Sequence, residues 1–177
     1  MNLPTLETTR MIIRQLELSD AEAVFNYASN PNITKFVTWN THNNLSDSID
    51  YIKFAQENYQ QGLCDPMGLT LKTNPSVVIG SVGAFWSSHE PGIMELGACI
   101  GEVHWGQGLA HEALAELIDY VWKNYDVIRI QSRCKLGNTQ SHRMMEKLGM
   151  KFEGVQRSSL KAKGESWDME IFSLINK

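Results

Sequence analysis

Hydrophobic and polar positions alternate along the chain with a period that changes from two to 3.6 and back. These changes mark the elements. Arg10-Met11-Ile12-Ile13-Arg14-Gln15-Leu16 reads as a first strand. Ser19-Asp20-Ala21-Glu22 has the form of a capping box, and Ala21, Val24, Phe25 and Ala28 follow on one helical face. Asn30-Pro31 ends that helix. A second helix is expected over 45–61, with Ile49, Ile52, Gln56 and Tyr59 on its inner face and Gly62 as its stop. Strands are expected over 67–72, 77–85 and 93–100. Asn74-Pro75-Ser76 and His89-Glu90-Pro91-Gly92 mark hairpin-length turns, so these strands are expected to be antiparallel.

The strongest helical pattern comes next. Ala110, Ala113, Leu114, Leu117, Ile118, Val121 and Trp122 share one face, and His111, Glu112, Glu116, Asp119 and Lys123 take the other. Glu112 is thereby placed on the solvated side, with no assigned role. A strand over 127–134 follows, then a helix from Asn138 to Leu148 that stops at Gly149. Strands over 150–157 and 166–174, joined by a Lys163-Gly164 turn, close the chain. Strand, long helix and strand over 93–134 make a βαβ crossover, so those two strands are expected to be parallel. The class is α+β (mixed α/β): one mostly antiparallel sheet with helices on its faces. No composition break divides residues 1–177, so a single domain is expected.

Composition narrows the function. With 42% hydrophobic and 20% charged residues, the chain is ordinary for a globular domain. No apolar run approaches the roughly 18 residues of a membrane span, and the start lacks a secretory signal pattern. Sixteen basic against 20 acidic residues give a net charge of −4, which argues against a nucleic-acid partner. The cysteines Cys64, Cys99 and Cys134 are odd in number and scattered, which points to a reducing, cytoplasmic setting. Cys99 and Cys134 sit in apolar runs and read as small buried side chains rather than nucleophiles. The five histidines fall at no zinc-site spacing, so no metal is expected.

Chemistry concentrates in Trp105-Gly106-Gln107-Gly108-Leu109-Ala110, between a strand and the long helix. The glycines let the backbone turn sharply and a ligand approach. The free N–H groups at the helix start favour an anion. Together they describe a main-chain phosphate cradle. It is not a Walker loop, which would end in Gly-Lys-Ser/Thr. It is not a dinucleotide fingerprint, because His111 stands where a third small residue belongs. Taken alone, the segment is equally a tight turn with no ligand.

Its context resembles the GNAT superfamily of N-acetyltransferases. Trp105-Gly106-Gln107-Gly108-Leu109-Ala110 is similar to that family's motif A. Asn138-Thr139-Gln140-Ser141, Met145-Glu146-Lys147-Leu148-Gly149-Met150 and Phe152-Glu153-Gly154 are similar to its motif B. Leu6-Glu7-Thr8-Thr9-Arg10-Met11, Leu16 and Glu95-Leu96-Gly97 look like the ribosomal-protein N-acetyltransferase branch. The resemblance runs from about Leu6 to Leu174. Trp105 departs from the usual Gln or Arg, which leaves phosphate binding there to the main chain. Met150 replaces a Phe, and the motif B helix has no Tyr.

The resemblance implies a GNAT-type fold, with the sheet splayed between the fourth and fifth predicted strands and helices on both faces. It implies acetyl-CoA as co-substrate, held by Ile100, Trp105, Gly106, Gln107, Gly108, Leu109 and Ala110, with Asn138 on the pantetheine arm. Ser141 would contact the coenzyme's sulfur and help protonate the departing thiolate. Glu95, on a strand leading into the cleft, is the candidate general base, directly or through water. Asn138 is also the natural N-cap of its helix. Buried packing is the first expectation for Trp39, Trp86 and Trp167, and lining an acceptor groove, with Asp168 to receive an amine, is the alternative. The expected partner is an amine acceptor, first a protein N-terminus, alternatively a polyamine or aminoglycoside. A non-catalytic acyl-CoA-binding protein is the reading from another class. A monomer or homodimer fits equally.

Overall fold

A computed structural model describes residues 3–87 and 91–176. Among these residues, eight strands form one sheet in the order β1-β2-β3-β4-β5-β6-β8-β7. They are β1 (Leu6–Glu7), β2 (Met11–Arg14), β3 (Cys64–Leu71), β4 (Asn74–Trp86), β5 (Ile93–Ile100), β6 (Arg129–Lys135), β7 (Lys151–Ala162) and β8 (Glu165–Ile175). The helices are α1 (Ala21–Ala28), α2 (Pro31–Thr34), α3 (Leu45–Gln60), α4 (Leu109–Asn124) and α5 (Thr139–Lys147). Every pairing is antiparallel except β5 with β6, the expected parallel pair around α4. That pairing runs only from Ile93–Arg129 to Leu96–Ser132. Beyond it the two strands part, and one edge of β5 from Gly97 to Ile100 faces a gap.

The helices split between the faces. Tyr51 of α3 reaches Ser81 on β4 (2.9 Å). Tyr125, just past α4, reaches Cys64 on β3 (3.0 Å) from the opposite face. α4 buries Leu109, Ala113, Leu114, Leu117, Ile118 and Val121. Each large side chain contributes about 1.5–3 kcal/mol of burial, which fixes where the start of α4 sits.

Three local expectations change. The capping box at the first helix is made by Glu17 and Asp20, not by Ser19. Asp20 is buried and bidentate with Arg14 (2.8 Å each), which draws the chain into a 3-10 turn ahead of α1. The first hairpin turns at Lys72-Thr73 rather than at Asn74-Pro75-Ser76. Leu71 pairs with Asn74 and Thr70 with Val78, so Pro75 lies in a bulge where a missing N–H costs no ladder bond. Of the second expected turn, His89 and Glu90 lie outside the described residues. The Lys163-Gly164 turn holds, with φ of 53° and 78°, the conformation that suits a two-residue hairpin.

Candidate functional site

The loop between β5 and α4 is tied at both ends. Trp105 donates its indole N–H to the carbonyl of Ile100, the last residue of β5 (2.7 Å). Gly106 and Gly108 have φ of 74° and 76°, in the left-handed region where a side chain is strained. Gly108 is the N-cap of α4 and offers no side-chain acceptor. The first intrahelical amide is that of Glu112, bonded to the Gly108 carbonyl (3.1 Å). The amides of Leu109, Ala110 and His111 are therefore left for a ligand, with the helix dipole behind them.

Glu112 is not the solvated residue its position suggests. Its carboxylate accepts from the Thr8 hydroxyl (2.6 Å), the Arg10 amide (2.8 Å) and Arg10 Nε (2.7 Å). Arg10 in turn donates to the Gln107 carbonyl (2.9 Å). Partial burial pushes the Glu112 carboxyl up, but these bonds outweigh it and hold it below its ordinary range. Glu112 thus clamps the β1–β2 turn to the cradle. The helical period missed it because the partner is about a hundred residues away.

Across the gap lies α5. Asn138 caps it as expected, its Oδ1 accepting from the Ser141 amide (3.3 Å). Ser141 is half-buried, and its hydroxyl is uncommitted among the described residues. Behind it, Glu170 accepts from Cys134 (3.3 Å) and contacts His142 Nδ1 (3.1 Å). Burial pushes the Cys99 and Cys134 thiols up to about 12, aided at Cys134 by Glu170. Neither is a ready nucleophile.

Strand alternation puts Glu95, Gly97 and Cys99 on the face covered by α1 and α3. Glu95 is nearly buried and accepts from Arg133 Nε (2.9 Å) and Gln131 (3.2 Å), one bond to each oxygen. A carboxylate oxygen has a second lone pair, so both remain able to accept. β3 presents a second carboxylate to this face. Asp65 lies over Gly83, where an added Cβ would fall 1.8 Å from Asp65 Oδ1. Gly83 is the register partner of Gly97. Sequence reasoning passed over Asp65, because a lone acid beside Pro66 looks like a strand boundary.

A family model described as an acetyltransferase (GNAT) domain matches residues 10–151, from β2 to the start of β7. The chain belongs to the GNAT acetyltransferase family. As a GNAT member it is an N-acetyltransferase. It is 32% identical to a Bacillus licheniformis protein named uncharacterized N-acetyltransferase p20, over 99% of this chain and 98% of that one. An acetyltransferase of the GNAT family from Bacillus anthracis superposes with a TM-score of 0.83 at 25% identity, covering 97% of this chain and 98% of the other. RimL, a ribosomal L7/L12 α-N-protein acetyltransferase solved with coenzyme A, shares the fold with a TM-score of 0.84 at 15% identity, covering 97% and 98%.

The tryptophans of this GNAT chain do not converge. Trp39 packs beside His42 and Tyr51 on the α3 face (5.4 and 6.5 Å between centroids). Trp86 packs on Tyr125, past the far end of α4 from the cradle. Trp167 is buried beneath Lys135, 4.0 Å from its ring centroid. Asp168 accepts from the Ser158 amide (2.7 Å) and holds a bulge of β7 rather than standing free. No group of three or more His, Cys, Asp or Glu able to hold a metal occurs among the described residues. Among the described residues no helix is long and apolar enough to cross a membrane.

Proposed function

We propose that this chain moves the acetyl group of acetyl-CoA directly to a protein N-terminal α-amine, with donor and acceptor bound together. One observation carries the reading: the open cradle at Gly106–Leu109 sits at the end of the β5 edge that has lost its partner. The pyrophosphate would rest on the amides from Gln107 to Ala110. Ile100 and Trp105 hold the loop there through their own bond. The pantetheine arm would lie along β5 from Gly97 to Ile100 as a substitute strand, with Asn138 beside it. Main-chain N–H groups of that edge would face the developing oxyanion.

Holding amine and thioester together supplies most of the rate. Glu95 faces the acceptor and holds its charge, directly or through water. The Ser141 hydroxyl donates to the sulfur as the C–S bond breaks. An N-terminal amine suits this site better than a polyamine. One of its two carboxylates is already paired with Arg133, which leaves one net negative charge for one ammonium. The relation to RimL in fold is consistent with that acceptor class.

A Ser141→Ala variant is expected to lose about tenfold or more in kcat, with acetyl-CoA affinity near the parent's, since its contact forms as the thiolate departs. Stopped-turnover and binding measurements separate the two. An unchanged kcat reduces Ser141 to a packing residue. The acceptor itself is tested by following free thiol from acetyl-CoA against N-terminal peptides, polyamines and aminoglycosides. Peptides should lead, and turnover confined to polyamines or aminoglycosides would replace this acceptor.

A further inference from the structure

Asp65 is a half-buried acid that no hydrogen bond or ion pair engages at its carboxyl, among the described residues. An unpaired buried charge costs stability, and a fold that keeps one commonly uses it. Its surroundings are specific. Gly83, beneath the carboxyl, has no side chain to displace it. Gly97, the partner of Gly83 across the ladder, has open space above it, with nothing within 4 Å of an added Cβ. Gly97 is also the first residue of β5 beyond the split. The open volume, the free carboxyl and the unpaired edge of β5 therefore meet at one point.

We propose that Asp65 takes the proton from the acceptor ammonium, while Glu95, fixed by Arg133 and Gln131, holds that ammonium in place. This rests on the acetyl-transfer reading above. The ammonium gives one proton to the Asp65 carboxylate. The freed nitrogen lone pair forms the C–N bond to the thioester carbonyl. The C–S bond then breaks, with its electron pair on sulfur. The nitrogen's surplus proton reaches the thiolate by way of Ser141. Products are the acetylated amine and the coenzyme thiol, and Asp65 returns its proton to water.

Burial pushes the Asp65 carboxyl up to about 6, close to the working range of a general base. Its titratable neighbours do not compete there. Tyr51 and Tyr59 of α3 are pushed up by burial, as are Cys64 beside it and Cys99 on β5. Glu95 is engaged by Arg133. Tyr27 of α1 is likewise pushed up by burial, whereas His42, against Tyr51 (6.0 Å), is pushed down by burial and is a further group on this face to control for.

Asp65→Asn keeps the shape and cannot take the proton. With acetyl-CoA and two acceptor probes, a hexapeptide with a free N-terminal serine and spermidine, kcat should fall about 10²-fold or more. The rising limb of kcat/KM near pH 6 should vanish in Asp65→Asn and survive in His42→Gln. Acetyl-CoA affinity should stay parental. The folded carboxyl has a pKa raised above its unfolded value of 3.8, so the native state loses stability as pH rises through that window. Asn escapes this cost, so Tm at pH 7.5 should rise, and at pH 4 it should match the parent. A parental kcat overturns the proposal, as does a lowered Tm with activity lost in proportion. A parent that binds acetyl-CoA but acetylates neither probe overturns the acceptor reading and this inference with it. Failure in Asp65→Asn alone of the expected loss leaves the acetyl-transfer reading standing.

Discussion

In a Gly108→Val variant, acetyl-CoA is expected to show no saturable binding, while the protein still melts cooperatively within a few degrees of the parent. The reason is local. Gly108 has a φ of 76°, which a β-branched residue avoids at a cost of about 1–3 kcal/mol. Valine would relieve that strain by rotating the backbone at the N-cap of α4. The amides of Leu109, Ala110 and His111 would then turn off the common point they share. The Gln107 carbonyl would leave Arg10, loosening the clamp that Glu112 closes. The core stays intact, because the nearest atom to an added Cβ is Arg10 Nη2 at 3.7 Å, a flexible side chain. Gly108→Ala should fall between the two. Calorimetry against acetyl-CoA, with thermal melts as the fold control, checks this. Parental affinity in a folded Gly108→Val would move the phosphate site elsewhere.

The second large effect is expected at Glu95. In the parent, Glu95 and Arg133 form a neutral pair (2.9 Å), beside the proposed place of the acceptor. Glu95→Gln leaves a net positive charge there. At an effective dielectric near 20, a unit charge about 5 Å from an ammonium costs about 3 kcal/mol. That corresponds to a loss of about 10²-fold in kcat/KM for the acceptor at pH 7. An α-amine has a pKa of about 8, so the loss should shrink as pH rises and the acceptor arrives neutral. Acetyl-CoA affinity should barely move. The double variant Glu95→Gln with Arg133→Gln restores a neutral site and should recover most of the loss. If the double variant is as slow as the single one, Glu95 itself is the proton acceptor.

What the sequence made legible follows from the range of each interaction. α4 was readable because its stripe from Ala110 to Val121 repeats within one helix, and its start because Gly106 and Gly108 stand two positions apart just before it. The parallel β5–β6 pair was readable because a long helix between two strands leaves few other connections. Asn138 was readable as a cap because capping spans three residues. Glu112 was misplaced because its partners, Thr8 and Arg10, come from the other end of the chain. Asp65 was invisible for a related reason. Its importance lies in two glycines on other strands, Gly83 and Gly97, which matter only once the ladder brings them together. The tryptophans carry little site information because aromatic residues pack wherever the core needs area, as expected and as Trp167 does beneath Lys135.

Acetyl-CoA is expected in the gap between β5 and β6, with its pyrophosphate on the start of α4. Calorimetric titration of the unmodified chain with acetyl-CoA tests it. One saturable site per chain is expected, half-filled below about 1 mM, the upper range of substrate constants for enzymes. No heat of binding up to that concentration would contradict it.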